Sequence, residues 1–83
     1  MRRSIDVVQL DAAELPDGLD DVTPLSWTIA VSDDYDDAEP RVVLTVEPLG
    51  KPGEGLVAHL APNNARRLRQ ALADALREVG EKE

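Results

Sequence analysis

The sequence contains no cysteine and no phenylalanine, and Trp27 and Tyr35 supply its aromatic rings apart from one histidine. Without cysteine the chain cannot form disulfides or thiolate metal sites. A hydrophobic core must therefore be built from Leu, Val, Ile and Ala. A chain of 83 residues buries only roughly 60–65% of the surface that its unfolded form exposes. These absences favour oligomerisation as an additional source of stability.

Basic residues are also scarce, because nine Lys and Arg stand against 17 Asp and Glu, for a net charge of −8. Phosphate contacts need Lys and Arg, so we expect no direct binding to nucleic acid. The same charge repels anionic membrane surfaces. A basic start is followed by Ser4-Ile5-Asp6 and not by an apolar run, which predicts no signal peptide, no membrane span and a cytoplasmic protein. We expect a single small domain over residues 1–83 with a frayed tail over 80–83.

Four segments have the spacing of β-strands, at residues 4–10, 25–32, 41–47 and 55–60. In the second and third, apolar side chains alternate with mostly polar ones, which is typical of half-buried antiparallel strands. The first carries apolar side chains on both faces, which indicates either burial on both sides or a bulge that shifts the phase. Residues 11–24 contain Pro and Gly and are interpreted as a loop with one helical turn near 11–15.

The periodicity becomes helical after Leu60. Pro62 suits the first turn of a helix, and Asn63 or Asn64 is a candidate cap. The apolar residues that follow fall on one side of that helix: Ala65, Leu68, Leu72, Ala75, Leu76 and Val79. The element order β-β-β-β-α predicts an α+β fold, in which a three- to four-stranded antiparallel sheet packs on one C-terminal helix.

One face of the sheet is expected to pack on the helix, with Trp27 as a core residue. The other face combines small, β-branched and polar side chains: Thr28, Ala30, Val43, Thr45, Val57 and His59. A face of this kind is a candidate dimer surface. The alternative is an ordinary solvent-exposed β face, since Thr and Val have high β propensity.

Residues 32–39 concentrate five carboxylates in eight positions. A calcium loop is one interpretation, although its pattern requires a Gly that does not follow here. A solvated hairpin loop that protects a sheet edge is the second. The third is an acidic surface for a basic partner, with Tyr35 as an aromatic anchor.

Arg66, Arg69 and Arg77 lie near one exposed ridge of the predicted helix. Cations close to a helix N-terminus are slightly unfavourable, and such departures are common at functional positions. One hypothesis is contact with an acidic surface, namely the acidic loop of a second subunit, a protein partner or a phosphate group. The alternative is that Arg is a good helix former whose stem covers apolar surface.

His59 is the sole histidine. A metal site needs three or four ligands, and the sequence near His59 offers no second imidazole. General base catalysis needs a partner group that the sequence does not place beside it. We therefore predict no catalytic residue, no metal site and no cofactor.

The passage from residue 56 to 68 reads Leu-Val-Ala-His-Leu-Ala-Pro-Asn-Asn-Ala-Arg-Arg-Leu. It resembles a pattern common in short actinobacterial proteins, in which a strand ends in Leu-Thr/Ser-Pro and Ala and Leu follow at helical spacing. Some of these resemble small accessory proteins that accompany helix-turn-helix regulators. Taken over the whole strand-Pro-helix C-terminus from residue 56 onward, the resemblance covers about a third of the chain, and Ala61 stands where the pattern has a hydroxyl cap. It implies a small cytoplasmic interaction protein and transfers no functional residue.

The sequence thus predicts a non-enzymatic, homodimeric protein-interaction module. The first alternative is an acidic mimic of nucleic acid that inhibits a basic DNA-binding protein, and the second is a small-molecule or metal-binding domain. A third is an enzyme subunit whose site is completed across an interface by His59 and a neighbour's carboxylate. The residues predicted to carry the interaction are Asp33, Asp34, Tyr35, Asp36, Asp37, Arg66, Arg69 and Arg77.

Overall fold

The computed structural model describes residues 1–10 and 24–81. Within them the chain forms strands β1 (Arg2–Gln9), β2 (Leu25–Ser32), β3 (Arg41–Pro48) and β4 (Leu56–Leu60), followed by helix α1 (Pro62–Glu78). The strands make one antiparallel sheet in the order β1-β2-β3-β4, and α1 packs on it against β3 and β4. This is the predicted α+β fold. The loop predicted over 11–24, with its helical turn, lies outside the described residues except for Pro24.

The first strand contains a bulge. Its register against β2 shifts between Ser4 and Asp6, so Ile5 is an extra residue in β1. Residues before the bulge and residues after it therefore pair with β2 in registers that differ by one position. After the bulge, Val8 lies opposite Trp27. Because Ile5 and Val7 are both exposed, the bulge, and not burial on both sides, explains the apolar residues on both faces of this strand.

The sheet has two chemically different faces, because residues directly opposite each other in neighbouring strands share a face. The face that packs on α1, called the helix face, carries the pairs Trp27–Val46 and Ile29–Leu44. The opposite face, called the loop face, carries the pairs Ala30–Val43 and Val43–His59. Among the described residues, the buried hydrophobic side chains are Ala30 and Val43, each 1% exposed. Burial is therefore deepest on the loop face. The face interpreted as a candidate dimer surface is therefore partly covered by the chain itself.

The strand β4 begins at a close backbone contact. A Cβ atom on Gly55 would collide with the carbonyl oxygen of Val46 and with the side chain of Glu47. Only glycine fits at this point without displacing β3. The 49–55 turn can consequently bring the chain back tightly against β3. Because β4 stands last in the order β1-β2-β3-β4, it is an edge strand of the sheet.

The helix α1 has an open start and a closed end. Ala61 is the N-cap and makes no side-chain capping bond, so Asn63 and Asn64 lie inside the first turn and are not the cap. At the other end Gly80, with φ of 85°, donates to the carbonyl of Arg77, and Glu81 donates to that of Leu76. This is a Schellman motif, which glycine favours. No helix among the described residues is long and apolar enough to cross a membrane.

Candidate functional site

The apolar side of α1 is largely open. None of the residues of α1, all of which the structure describes, is buried. Leu72 in the middle of the helix is 59% exposed, and Leu68, Leu76 and Val79 are also exposed. A helix that packs fully on a sheet covers such a stripe. Here the helix contacts the sheet while leaving much of its hydrophobic side available to another surface.

An apolar groove lies between α1 and the helix face of β2 and β3. Its volume is about 440 Å³. The groove is lined by Trp27, Ile29, Leu44, Val46, Leu68 and Leu72. On the sheet side the lining residues are two cross-strand pairs, and on the helix side they are leucines four residues apart, which share a side of the helix. Apart from the indole N–H of Trp27, these side chains carry no polar group, so the groove offers water few partners.

The sequence identified the groove residues but not the groove. Trp27 and the leucine stripe were predicted as core, and they do face one another. The structure leaves Trp27 only half-buried, because α1 lies over β3 and β4 and does not extend across β2. The periodicity of a sequence indicates which side of a helix is apolar. It carries no signal for how far the helix lies from the neighbouring strand.

The acidic loop, residues 33–40, has carboxylates paired within the chain. Asp33 and Asp34 each lie 2.6 Å from the terminal ammonium group of Met1. Asp37 accepts two hydrogen bonds from the guanidinium of Arg41, at 2.9 and 2.7 Å. These contacts hold the pKa of Asp37 well below its usual range and lower the pKa of Asp33.

The pairing leaves no visible cation site in this part of the molecule. Within residues 1–10 and 24–81, no group of three or more His, Asp or Glu side chains is arranged to hold a metal ion. Asp36 is exposed in the same loop. The arrangement is that of a hairpin loop fixed by ion pairs.

Tyr35 turns from the acidic loop onto the loop face of the sheet. Its hydroxyl hydrogen-bonds with Nδ1 of His59 over 2.9 Å, and the two rings meet edge to face at 5.6 Å between centroids. The guanidinium of Arg41 lies over the Tyr35 ring, 4.6 Å from the ring centre. Tyr35, Arg41 and His59 thus tie the loop to β4. Their position beside Val43 accounts for part of the burial on this face.

The predicted arginine ridge does not behave as one unit. Arg77 contacts Asp74 of its own helix, and the same Asp74 carboxylate accepts a hydrogen bond of 2.9 Å from Gln70. Arg66 and Arg69 are exposed. Within the described residues, the ion pairs of the acidic loop are made with Met1 and Arg41 and with none of these three arginines.

Comparison with models of protein families, with curated proteins and with solved structures found no match to this chain.

Proposed function

We propose that this chain is a non-enzymatic protein-interaction module that works as a homodimer and binds an apolar segment of another protein in the apolar groove. The open groove is the observation that carries the proposal. Covering a leucine-sized side chain contributes roughly 1.5–3 kcal/mol. A partner that covers Trp27, Leu68 and Leu72 together therefore gains a substantial hydrophobic contribution without any change in the fold.

The homodimer is supported by the small number of hydrophobic side chains that are buried among the described residues. Two small hydrophobic side chains, Ala30 and Val43, are buried among the described residues, and no disulfide is available. Small domains with such thin cores commonly rely on a second subunit. A dimer would also present two apolar grooves, and paired sites bind a multivalent partner more tightly than one site does.

The other functional classes receive less support from the geometry. A nucleic-acid mimic needs carboxylates spread over one face, whereas Asp33, Asp34 and Asp37 are gathered in one loop and paired there. A small-molecule site usually combines apolar walls with a few convergent polar groups. The apolar groove has the walls but its lining contains no such group.

The groove is tested by capture from native lysate with three baits. The wild type is compared with Leu72→Asp, which places a charge in the groove, and with Ala71→Asp as the matched control. Ala71 is exposed on the same helix, one position away and outside the apolar stripe. We expect the wild type and Ala71→Asp to retain the same proteins at both low and high salt, and Leu72→Asp to lose them. Loss of capture at high salt would instead indicate charge-driven binding, as expected for the acidic mimic.

Direct binding is then read from Trp27. It is the one tryptophan of the chain and lines the groove, so its fluorescence reports whether the groove is covered. A captured protein, once purified, should shift the Trp27 emission to shorter wavelength and reduce its quenching by acrylamide. Unchanged emission at saturation, or equal capture by Leu72→Asp and Ala71→Asp, would show that the groove is not the binding site.

A further inference from the structure

The two edges of the sheet differ in how well they are protected. The outer strand β1 carries Arg2, Arg3 and Asp6 and contains the bulge at Ile5. Charged side chains and bulges are the usual means by which an edge strand avoids pairing with another chain. The opposite edge strand, β4, reads Leu-Val-Ala-His-Leu. It has no Asp, Glu, Lys, Arg or Pro, and its pairing with β3 is regular over the whole strand.

The outer side of β4 is accessible. Leu56 is 83% exposed and Val57 is 51% exposed. None of the backbone–backbone hydrogen bonds made by the described loops and turns involves residues 56–60. Alternate residues of an edge strand direct their N–H and C=O groups away from the sheet. A strand with this composition and exposure is ready to accept another strand.

We propose that β4 pairs antiparallel with β4 of a second copy of this chain, about a two-fold axis at Ala58. This inference rests on the homodimer of the proposed function and assigns its interface. The strand is self-complementary in that register: Leu56 lies opposite Leu60 of the second copy, and Val57 lies opposite its His59. Like charges never face each other across the new pair, and apolar side chains meet on the helix face.

The register is selected by the flanking residues. An axis at Ala58 pairs all five residues of β4. An axis at His59 places Leu56 opposite Pro62, which has no N–H to donate. An axis at Val57 places Leu60 opposite Glu54 of the 49–55 turn and leaves fewer strand residues paired. The arrangement centred on Ala58 is therefore the one that uses the whole edge.

The resulting dimer leaves the apolar groove free. Antiparallel pairing of two edges about an axis perpendicular to the sheet gives one continuous eight-stranded sheet, with both copies of α1 on the same face. The groove lies on the β2 and β3 side of α1, away from the β4 edge. Both grooves then open on one face of the dimer, where a partner protein can reach them.

Disulfide trapping tests this register directly, because the natural chain has no cysteine. In an antiparallel pair, directly opposed Cα atoms are about 4.5–5.5 Å apart, within the range that a disulfide spans. The Ala58→Cys variant should therefore become mostly a covalent dimer on mild oxidation, seen on a denaturing gel, and should run there as single chains after reductant is added. The control is Ser4→Cys on the exposed β1 edge, which should give no covalent dimer under the same oxidation. Equal crosslinking of the two variants would contradict the proposal.

A charge-pair experiment tests the interface without a covalent link. The double variant Val57→Lys with His59→Lys opposes two positive charges across the new pair in each direction, whereas Val57→Glu with His59→Lys opposes unlike charges. Both lose the Tyr35–His59 hydrogen bond equally, so its loss is controlled. We expect at least tenfold weaker dimerisation for the lysine pair than for the glutamate–lysine pair, measured by light scattering, with unchanged far-UV circular dichroism in both.

The outcomes separate the two proposals. A wild type with the mass of one 9.0 kDa chain at high concentration overturns the homodimer and the β4 interface together, while the capture experiment still decides the groove. A wild type with twice that mass, combined with no Ala58→Cys crosslink and equal dimerisation of the two charge variants, overturns the β4 interface alone.

Discussion

Asp37 and Arg41 form a two-point ion pair at the end of the acidic loop, and its consequence is a defined acid sensitivity. The guanidinium of Arg41 depresses the pKa of Asp37. Because the folded-state pKa lies below the unfolded value of about 3.9, the pair's contribution to the free energy of unfolding is complete above that pH. It is lost as the pH falls further, through the folded-state pKa.

The Asp37→Asn variant should therefore be less stable than the wild type at pH 6, and the difference should shrink at pH 3. Urea unfolding followed by circular dichroism at the two pH values measures this. Asp36→Asn, in the same loop, is the control, because Asp36 makes no ion pair within the described residues. It should follow the wild-type profile. A wild-type pH profile for Asp37→Asn would show that the ion pair contributes nothing in solution.

At the scale of residues, the sequence showed which loop is rich in carboxylates but not which groups those carboxylates pair with. The acidic loop was recognised from its carboxylates, but their partners are a terminal ammonium group and Arg41. The spacing of Asp37 and Arg41 was visible in the sequence, yet it indicates a contact only once the loop conformation is known. Ala38, with φ of 55°, provides the left-handed turn between them. A left-handed alanine is uncommon and has no sequence signature.

At the scale of elements, the start of α1 is less well capped than its end. Ala61 offers no side-chain acceptor to the free N–H groups of the first turn, and no acidic residue in that turn offsets the partial positive charge of the helix start. The sequence predicted Pro62 in the first turn correctly. It missed the cap because asparagine is a good cap only when it stands outside the helix, and here the helix begins before Asn63.

Replacing Ala61 by Asp should correct both deficiencies. The new carboxylate would accept a hydrogen bond from the first turn and would interact favourably with the helix dipole, which together raise the free energy of unfolding by about 0.5–2 kcal/mol. Thermal and urea unfolding measure the change. The Ala71→Asp variant, with the same substitution inside the helix, should instead be neutral or destabilising. Equal effects at the two positions would show that the gain is not a capping effect.

The bounds of a strand were predicted best where its apolar side chains alternate regularly with small or polar ones. The bounds of β2 match the predicted 25–32, because large apolar residues alternate with small or polar ones along the whole strand and Pro24 precedes it. In β1 the sequence indicated a change of phase, and the bulge confirms one of the two interpretations offered. The more deeply buried face was not predictable. Part of the burial around Val43 comes from His59 beside it and from Tyr35, which the acidic loop brings onto His59, and contacts of this kind leave no periodic pattern in the sequence.

The whole molecule combines a well-formed sheet with a helix that leaves the apolar groove open. The leucine stripe is the same whether α1 lies tightly on the sheet or stands partly away from it. The sequence therefore does not predict the apolar groove. Edge protection is different. The charges of β1 and the uncharged composition of β4 are plain in the sequence, but they acquire meaning only when the strand order places these two strands at the edges.

If β4 pairing joins two copies, folding and association are linked, and the stability of the chain must depend on its concentration. Each tenfold increase in concentration then adds about 1.4 kcal/mol per mole of dimer. Urea unfolding at three concentrations spanning a hundredfold should show the midpoint rising, while the Val57→Lys with His59→Lys variant unfolds at one midpoint throughout. Trp27 fluorescence and circular dichroism should give the same midpoint at each concentration if dissociation and unfolding are one transition. A wild-type midpoint that does not move would mean that the sheet and α1 hold together as a single subunit, so the exposed β4 edge would contribute nothing to stability.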